Sequence, residues 1–240
     1  MANNAIILLS GGLDSVTTAY YIKNKIKPKK MIALFFDYSQ RTLKQEEYCA
    51  RIISKKLKAK FKKVELKWLG DISTSFLNKQ KQLPKTKEKD LADVKKGKKE
   101  ITKYWVPCRN SLFLLAALAH AESEFISKKQ KYDLYIGLKS EGRIPMKDTT
   151  SQFVKVINNL AKEATDKGNF KIIAPLIDKD KDEIIGLGIK LKIPYEFTYS
   201  CYAGSKFKNK IPVHCGTCEN CVLRKKGFYW ANVKDPSYYY

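Results

Sequence analysis

Histidine and arginine are scarce in this chain. Two histidines, at 120 and 214, and five arginines, at 41, 51, 109, 143 and 224, stand among 240 residues. No Ser/His/Asp set offers itself as a nucleophilic apparatus, which leaves Cys108 as the one candidate nucleophile. With 47 basic against 24 acidic residues and a net charge of +23, the positive charge is almost all lysine. Arginine, with its planar fork, is the usual reader of phosphates and bases. The lysines are scattered over expected helix surfaces and one loop. They therefore read as a solvated basic face, and nucleic acid is not the expected partner; an acidic protein or a tRNA is the other use such charge could have. No run of 18 apolar residues occurs, which excludes a membrane-crossing helix. No basic n-region or cleavage site precedes the first apolar run, and a cytoplasmic location is expected. The Walker spacing G-x-x-x-x-G-K-[ST] is absent, and no internal repeat is visible.

What is present begins with Leu9-Ser10-Gly11-Gly12-Leu13-Asp14-Ser15. An apolar run, Ala5 to Leu9, precedes it and reads as a buried strand. Val16 to Ile22 follows and reads as a helix. Strand, glycine-rich turn and helix together deliver bare backbone N–H groups to an anion. Gly11 and Gly12 let the backbone close on a phosphate, and Ser10 and Ser15 add hydroxyls. The loop resembles the S-G-G-x-D-S pyrophosphate loop of enzymes that cleave ATP between its α and β phosphates to make adenylates.

Strands are expected near 5–9, 31–36, 61–68, 132–136 and 170–173, with helices near 13–25, 43–57, 111–125, 151–166 and 179–192. This alternation predicts an α/β fold with a doubly wound, parallel, five-stranded sheet. Ligands of such sheets sit beyond the carboxyl ends of the strands. Phe36, Asp37, Tyr38, Gln40 and Arg41 should then lie beside the pyrophosphate loop, as should Gly137 at the end of the fourth strand. The domain spans 1–195, and its charged stretch 79–103 reads as a mobile insertion or a lid.

Residues 196–240 form a second, small module. Cys201, Cys215, Cys218 and Cys221 have the spacing C-x13-C-x2-C-x2-C, which suits a closed tetrahedral Zn²⁺ site. An iron–sulfur cluster is the alternative, and His214 is a competing ligand. The lysine-rich stretch 205–212 is expected to loop out. Cys49 and Cys108 read as small, buried or half-buried thiols. Asp14 and Asp37 are the carboxylates available to Mg²⁺ beside the phosphates. Arg109 and Asn110 open a helix where an arginine fork could take a carboxylate or phosphate. Lys181, just inside the last helix of the domain, could neutralise a leaving pyrophosphate.

Together these residues resemble the QueC family of 7-cyano-7-deazaguanine synthases over nearly the whole chain. Phe36-Asp37-Tyr38-Ser39-Gln40-Arg41 is similar to the family's F-D-Y-G-Q-R, and Val106 to Asn110 to its V-P-G-R-N. Asp180-Lys181-Asp182-Glu183 resembles D-K-x-E, and the cysteine tail with Arg224 resembles the family's zinc tail. The resemblance implies an ATP-dependent ligase. It would adenylate the carboxylate of 7-carboxy-7-deazaguanine and join it to ammonia, working as a homodimer with Mg²⁺ and Zn²⁺. Asp14, Ser15, Arg109 and Lys181 would act in catalysis, and Tyr38, Arg109, Asn110 and Asp148 would hold the substrate. From Gly137 the family reads G-x-x-x-x-D-x-x-G-Y-P-D-C-R. Here only Gly137 and Asp148 of that pattern remain. Two alternatives follow: a ligase that stops at the amide or transfers its acyl group to an amine of a protein, and a basic RNA-binding module with an inactive loop.

Overall fold

The computed structural model describes residues 4–88, 102–139, 146–167, 169–204 and 206–240. Five parallel strands, β1 (Asn4–Leu8), β2 (Lys30–Asp37), β3 (Lys60–Glu65), β4 (Tyr132–Ile136) and β5 (Ile172–Ile173), form one sheet. Their order is β3-β2-β1-β4-β5, so the winding reverses between β1 and β4. The central strands are apolar on both faces, as a sheet covered on both sides requires. Ala5 and Ile7 of β1 face one core with Met31, Ala33 and Phe35 of β2. Ile6 and Leu8 face the other with Ile32, Leu34 and Phe36.

Among the described residues the strands are accompanied by helices α1 (Leu13–Tyr21), α2 (Leu43–Leu57), α3 (Lys67–Ile72), α4 (Arg109–Lys128), α5 (Ser151–Ala164), α6 (Lys181–Lys190) and α7 (Glu219–Trp230). The expected bounds of α2 and β4 coincide with the observed ones. α1 is extended by a π-turn, Ile22–Ile26. β5 is only two residues long, shorter than expected, and α3, α7 and a small second sheet carry no period that announces them. That sheet joins β6 (Phe207–Lys208), β7 (Ile211–His214) and β8 (Tyr238–Tyr239). Residues 207–214 thus form a hairpin instead of looping out, and the Tyr48 hydroxyl donates to its Lys210 carbonyl at 2.7 Å.

The described part of the 79–103 stretch is tied to both modules. Arg41 donates to the carbonyls of Lys79 and Lys81, and the amide of Thr86 donates to the carbonyl of Thr217 at 2.9 Å. Residues 89–101, and the loop residues 140–145 where the family pattern is lost, lie outside the described residues.

Two departures from the family pattern have a backbone explanation. Ser39 and Cys108 replace glycines of the resembled motifs, and both keep left-handed φ angles, +57° and +52°. Cys49 is buried as expected, whereas Cys108 is exposed at the N-cap of α4. A Cβ in the left-handed region costs about 1–2 kcal/mol, partly offset by the larger unfolded-state entropy of glycine. Cys108→Gly is therefore expected to stabilise the fold by about 0.5–1 kcal/mol, and Cys108→Val to destabilise it; urea unfolding of the two variants measures both.

Candidate active site

The turn between β1 and α1 is held by its own atoms. Gly11 has φ +79°, and a Cβ there would lie 2.6 Å from the Glu46 carbonyl of α2. Its carbonyl accepts from the amide of Tyr199 at 2.9 Å. The hydroxyls of Ser10 and Ser15 are 3.0 Å apart, the Gly12 amide donates to Ser10 Oγ, and Ser15 Oγ donates to the Gly12 carbonyl. Gly12 is the N-cap of α1. The first-turn amides of that helix have no acceptor within it and form an anion-binding end. Gly137, just after β4, closes the other side: a Cβ there would lie 2.8 Å from both Cα and N of Ser15.

This turn floors a cleft of about 340 Å³, within the usual range of small-molecule sites. Leu9, Ser10, Gly12, Leu13, Asp14 and Ser15 line it, joined by Phe36, Gln40 and Gly137. Tyr38, Arg109, Asn110 and Lys181 line it as well. Lys181 stands at the first turn of α6, where the amide of Asp180 donates to Glu183 Oε2 at 2.8 Å. Its Nζ donates to both oxygens of Asp14, at 2.9 and 2.8 Å.

Four expected residues do not line the cleft. Gly11 acts beneath the turn. Asp37 is buried, bridged to Lys63 at 3.0 Å, and accepts from the Ser39 amide. Arg41 turns toward Lys79 and Lys81. Asp148 lies behind Asn110, whose side-chain amide donates to its carbonyl at 3.3 Å. Burial raises the Asp148 carboxyl above its ordinary range, with the Arg109 charge opposing. A strand-end position places the backbone of Asp37 and Arg41 correctly but does not fix where their side chains turn.

The far wall is aromatic. Phe36 and Phe113 stack at 4.2 Å and 7°, Tyr38 meets Phe113 at 5.4 Å, and Tyr104 meets Tyr202 at 4.5 Å. Burial and the Glu46 charge push the Tyr38 hydroxyl up to about 12, although the Arg109 side chain hydrogen-bonds to it. Glu46, Lys139, Tyr104 and Tyr202 line the cleft but were not singled out by the sequence. Glu46 accepts from Gln40 at 3.1 Å and from Thr42, and burial raises its pKa. Its one sequence signal is its spacing from Gln40, too common among helical glutamates to be read alone.

The cysteine module supplies the remaining wall through Ser200, Tyr202, Glu219 and Asn220. Sγ atoms of Cys201, Cys215, Cys218 and Cys221 all lie within 4.8 Å of one another, and those of Cys215 and Cys221 are 3.9 Å apart. A zinc–sulfur distance near 2.3 Å requires tetrahedral edges of about 3.8 Å, so the buried set fits a closed four-thiolate site. Amides of Ala203, Cys215 and Cys218 point at these sulfurs at 3.3 Å. Such donors stabilise thiolates.

His214 belongs to the support of this group and not to the sulfur set. It is fully buried, and its Nε2 accepts from the Ser200 amide at 3.1 Å. Burial and the Arg224 charge push its pKa down to about 3, so the ring is neutral at neutral pH. Arg224 is 1% exposed and fully engaged. It pairs with both oxygens of Asp235 at 2.9 and 3.1 Å, and it donates to Thr198 Oγ1, Ser200 Oγ and the Tyr195 carbonyl.

Gly137→Ala forces a methyl against the backbone of Ser15, which cannot swing away. A stability loss of about 1–3 kcal/mol and at least a roughly tenfold weaker ATP affinity are expected, the latter because the anion-binding turn itself must shift; calorimetric titration at full folding checks the second. Arg224→Met leaves the half-buried Asp235 carboxylate without its ion-pair partner. A loss of about 3–5 kcal/mol is expected, and urea midpoints near the parent value would contradict the pairing described.

Residues 4–232 match the family model described as queuosine biosynthesis protein QueC. Three curated relatives are named 7-cyano-7-deazaguanine synthase. The protein of Methanobrevibacter smithii is 35% identical over 243 residues, covering 100% of this chain and 99% of its own. That of Methanosphaera stadtmanae is 35% identical, with 100% and 99% covered. That of Methanococcus aeolicus is 34% identical, with 98% of each covered. Matched over almost its whole length by the family model and by these relatives, the chain belongs to the QueC family.

Proposed function

We propose that this protein uses ATP to activate the carboxylate of 7-carboxy-7-deazaguanine and joins it to ammonia, ending at 7-cyano-7-deazaguanine. The observation that carries the reading is the meeting, in one cleft at the reversal of the sheet, of the serine–glycine turn, Lys181 and the Arg109–Asn110 pair. A carboxylate is a poor electrophile until one of its oxygens becomes a good leaving group. Its oxygen attacks the α-phosphorus of ATP, pyrophosphate leaves, and an acyl adenylate remains. Ammonia adds to the acyl carbon and expels AMP, giving the amide. The amide oxygen then attacks the α-phosphorus of a second ATP and expels pyrophosphate, and loss of AMP and of both amide N–H protons leaves the nitrile.

In this reading the protein's tasks are positioning and charge stabilisation, not nucleophilic attack. The end of α1 and the hydroxyls of Ser10 and Ser15 take the phosphates. Lys181 takes the charge of the departing pyrophosphate. Arg109, set against Tyr38, offers its fork to the substrate carboxylate, and the aromatic wall takes the flat heterocycle. Asp14, which Lys181 already holds, fits a Mg²⁺ ligand because its carboxylate is a quarter exposed and lines the cleft; Asp37, buried and outside the cleft lining, does not. Bound there, Mg²⁺ would supply charge neutralisation at the phosphates. The four cysteines would hold Zn²⁺, a closed site with a structural role. The small-molecule partners are the deazaguanine acid and ammonia, and the family resemblance adds a homodimer. No helix among the described residues is long and apolar enough to cross a membrane.

Incubation with ATP, ammonia and 7-carboxy-7-deazaguanine is expected to yield free nitrile by mass, with two AMP per product. Accumulation of amide alone, or of acyl groups on protein, would overturn the nitrile assignment. Metal analysis should give about one zinc per chain, and Cys218→Ala should lose folding before it loses chemistry. A folded, metal-free protein would contradict the structural role.

A further inference from the structure

A glycine in the interior of a helix costs stability, so its presence in α7 asks for a reason. Gly227 lies on the buried face of that helix with Cys221, Arg224 and Phe228. A Cβ on Gly227 would meet Lys181 Cγ at 2.5 Å, Lys181 Cβ at 3.3 Å and Ile185 Cδ1 at 3.0 Å. The contact is with the root of the lysine side chain, not with its free end. Beyond that root, Nζ reaches the Asp14 carboxylate at 2.8 Å, in the cleft. The Lys181 side chain is only 13% exposed, so it has little room to find another path.

The helix that carries Gly227 is fixed along the same face. Cys218 and Cys221 at its start belong to the sulfur group, and Arg224 is pinned to Asp235, Thr198, Ser200 and Tyr195. α7 therefore cannot back away from α6 to relieve a methyl group.

We propose that Gly227 is a positioning residue for the adenylating cleft: by lacking a side chain, it lets the stem of Lys181 cross α7 and hold Nζ at Asp14. The cysteine module thereby sets the geometry of the phosphate end of the cleft through one helix face. The assignment of Lys181 to pyrophosphate rests on the proposed function, whereas the packing relation between Gly227 and Lys181 does not.

A double-mutant cycle on the full-length, metal-loaded protein tests it. Gly227→Ala, Lys181→Ala and the double variant are compared in ATP affinity by calorimetry, in AMP formation and in thermal midpoint. Gly227→Ala alone is expected to slow AMP formation by about 10- to 100-fold, as a misplaced group does. In the Lys181→Ala background, where Cγ is gone, the same substitution should cost no further activity and should raise the midpoint, because alanine favours the helix. A merely structural glycine would give the same stability loss in both backgrounds and additive losses in rate. Additive losses, or parent-like AMP formation and ATP affinity in Gly227→Ala, would overturn the proposal. If Gly227→Ala does not fold, recovery of folding in the double variant supports the proposal and failure of both overturns it. If the parent protein forms no AMP from the deazaguanine acid, the functional reading fails, while the ATP affinities and midpoints of the cycle still decide the role of Gly227.

Discussion

Backbones that nearly touch at the end of β1 are the constraint on which the site depends. An anion can reach bare amides only if the β1–α1 turn carries no side chains above it, and the turn is stiff only if its neighbours crowd it. Gly11 is pressed against the Glu46 carbonyl of α2 and bonded to the Tyr199 amide, and Gly137 abuts the backbone of Ser15. α2, β4 and the approach to the cysteine module thus meet at one turn. Each brings a cleft residue with it: Glu46, Gly137 and Ser200.

The cysteine module extends this logic. Its buried arginine closes a network that includes Asp235, Thr198, Ser200 and a carbonyl, with each guanidinium nitrogen hydrogen-bonded. A buried charge tolerates no loss of a partner, so the network specifies one arrangement of the segment 195–201. That segment carries the Tyr199 amide bonded to Gly11 and the Ser200 amide bonded to His214. A buried four-cysteine group can in this way shape a neighbouring cleft through the segment it fixes.

Much of this was legible in the sequence. The parallel five-stranded sheet followed from the alternation of apolar strands and amphipathic helices, and the bounds of α2 and β4 coincide with those expected. Ser10, Gly12, Leu13, Asp14, Ser15, Arg109, Asn110 and Lys181 line one cleft, with Gly11 beneath it, and the four cysteines gather as their spacing implies. Asp37 and Arg41 were placed by backbone position alone, and long-range partners, Lys63 and the 79–81 carbonyls, turn their side chains elsewhere. β6 and β8 are two residues long and hold no period to read. Tyr104 and Tyr202, whose tilted rings meet at the cleft, are 98 positions apart in the chain, a distance over which no single sequence signals contact.

The central claim is that a substrate oxygen attacks the α-phosphorus of ATP in this cleft. Isotope transfer tests it most directly. 7-Carboxy-7-deazaguanine labelled with ¹⁸O in its carboxylate is turned over with ATP and ammonia, and the AMP is isolated and weighed by mass spectrometry. The expected result is one ¹⁸O in each AMP, with the label lost from the nitrile. Unlabelled AMP, or label in ADP or inorganic phosphate, would contradict adenylation as the activating step.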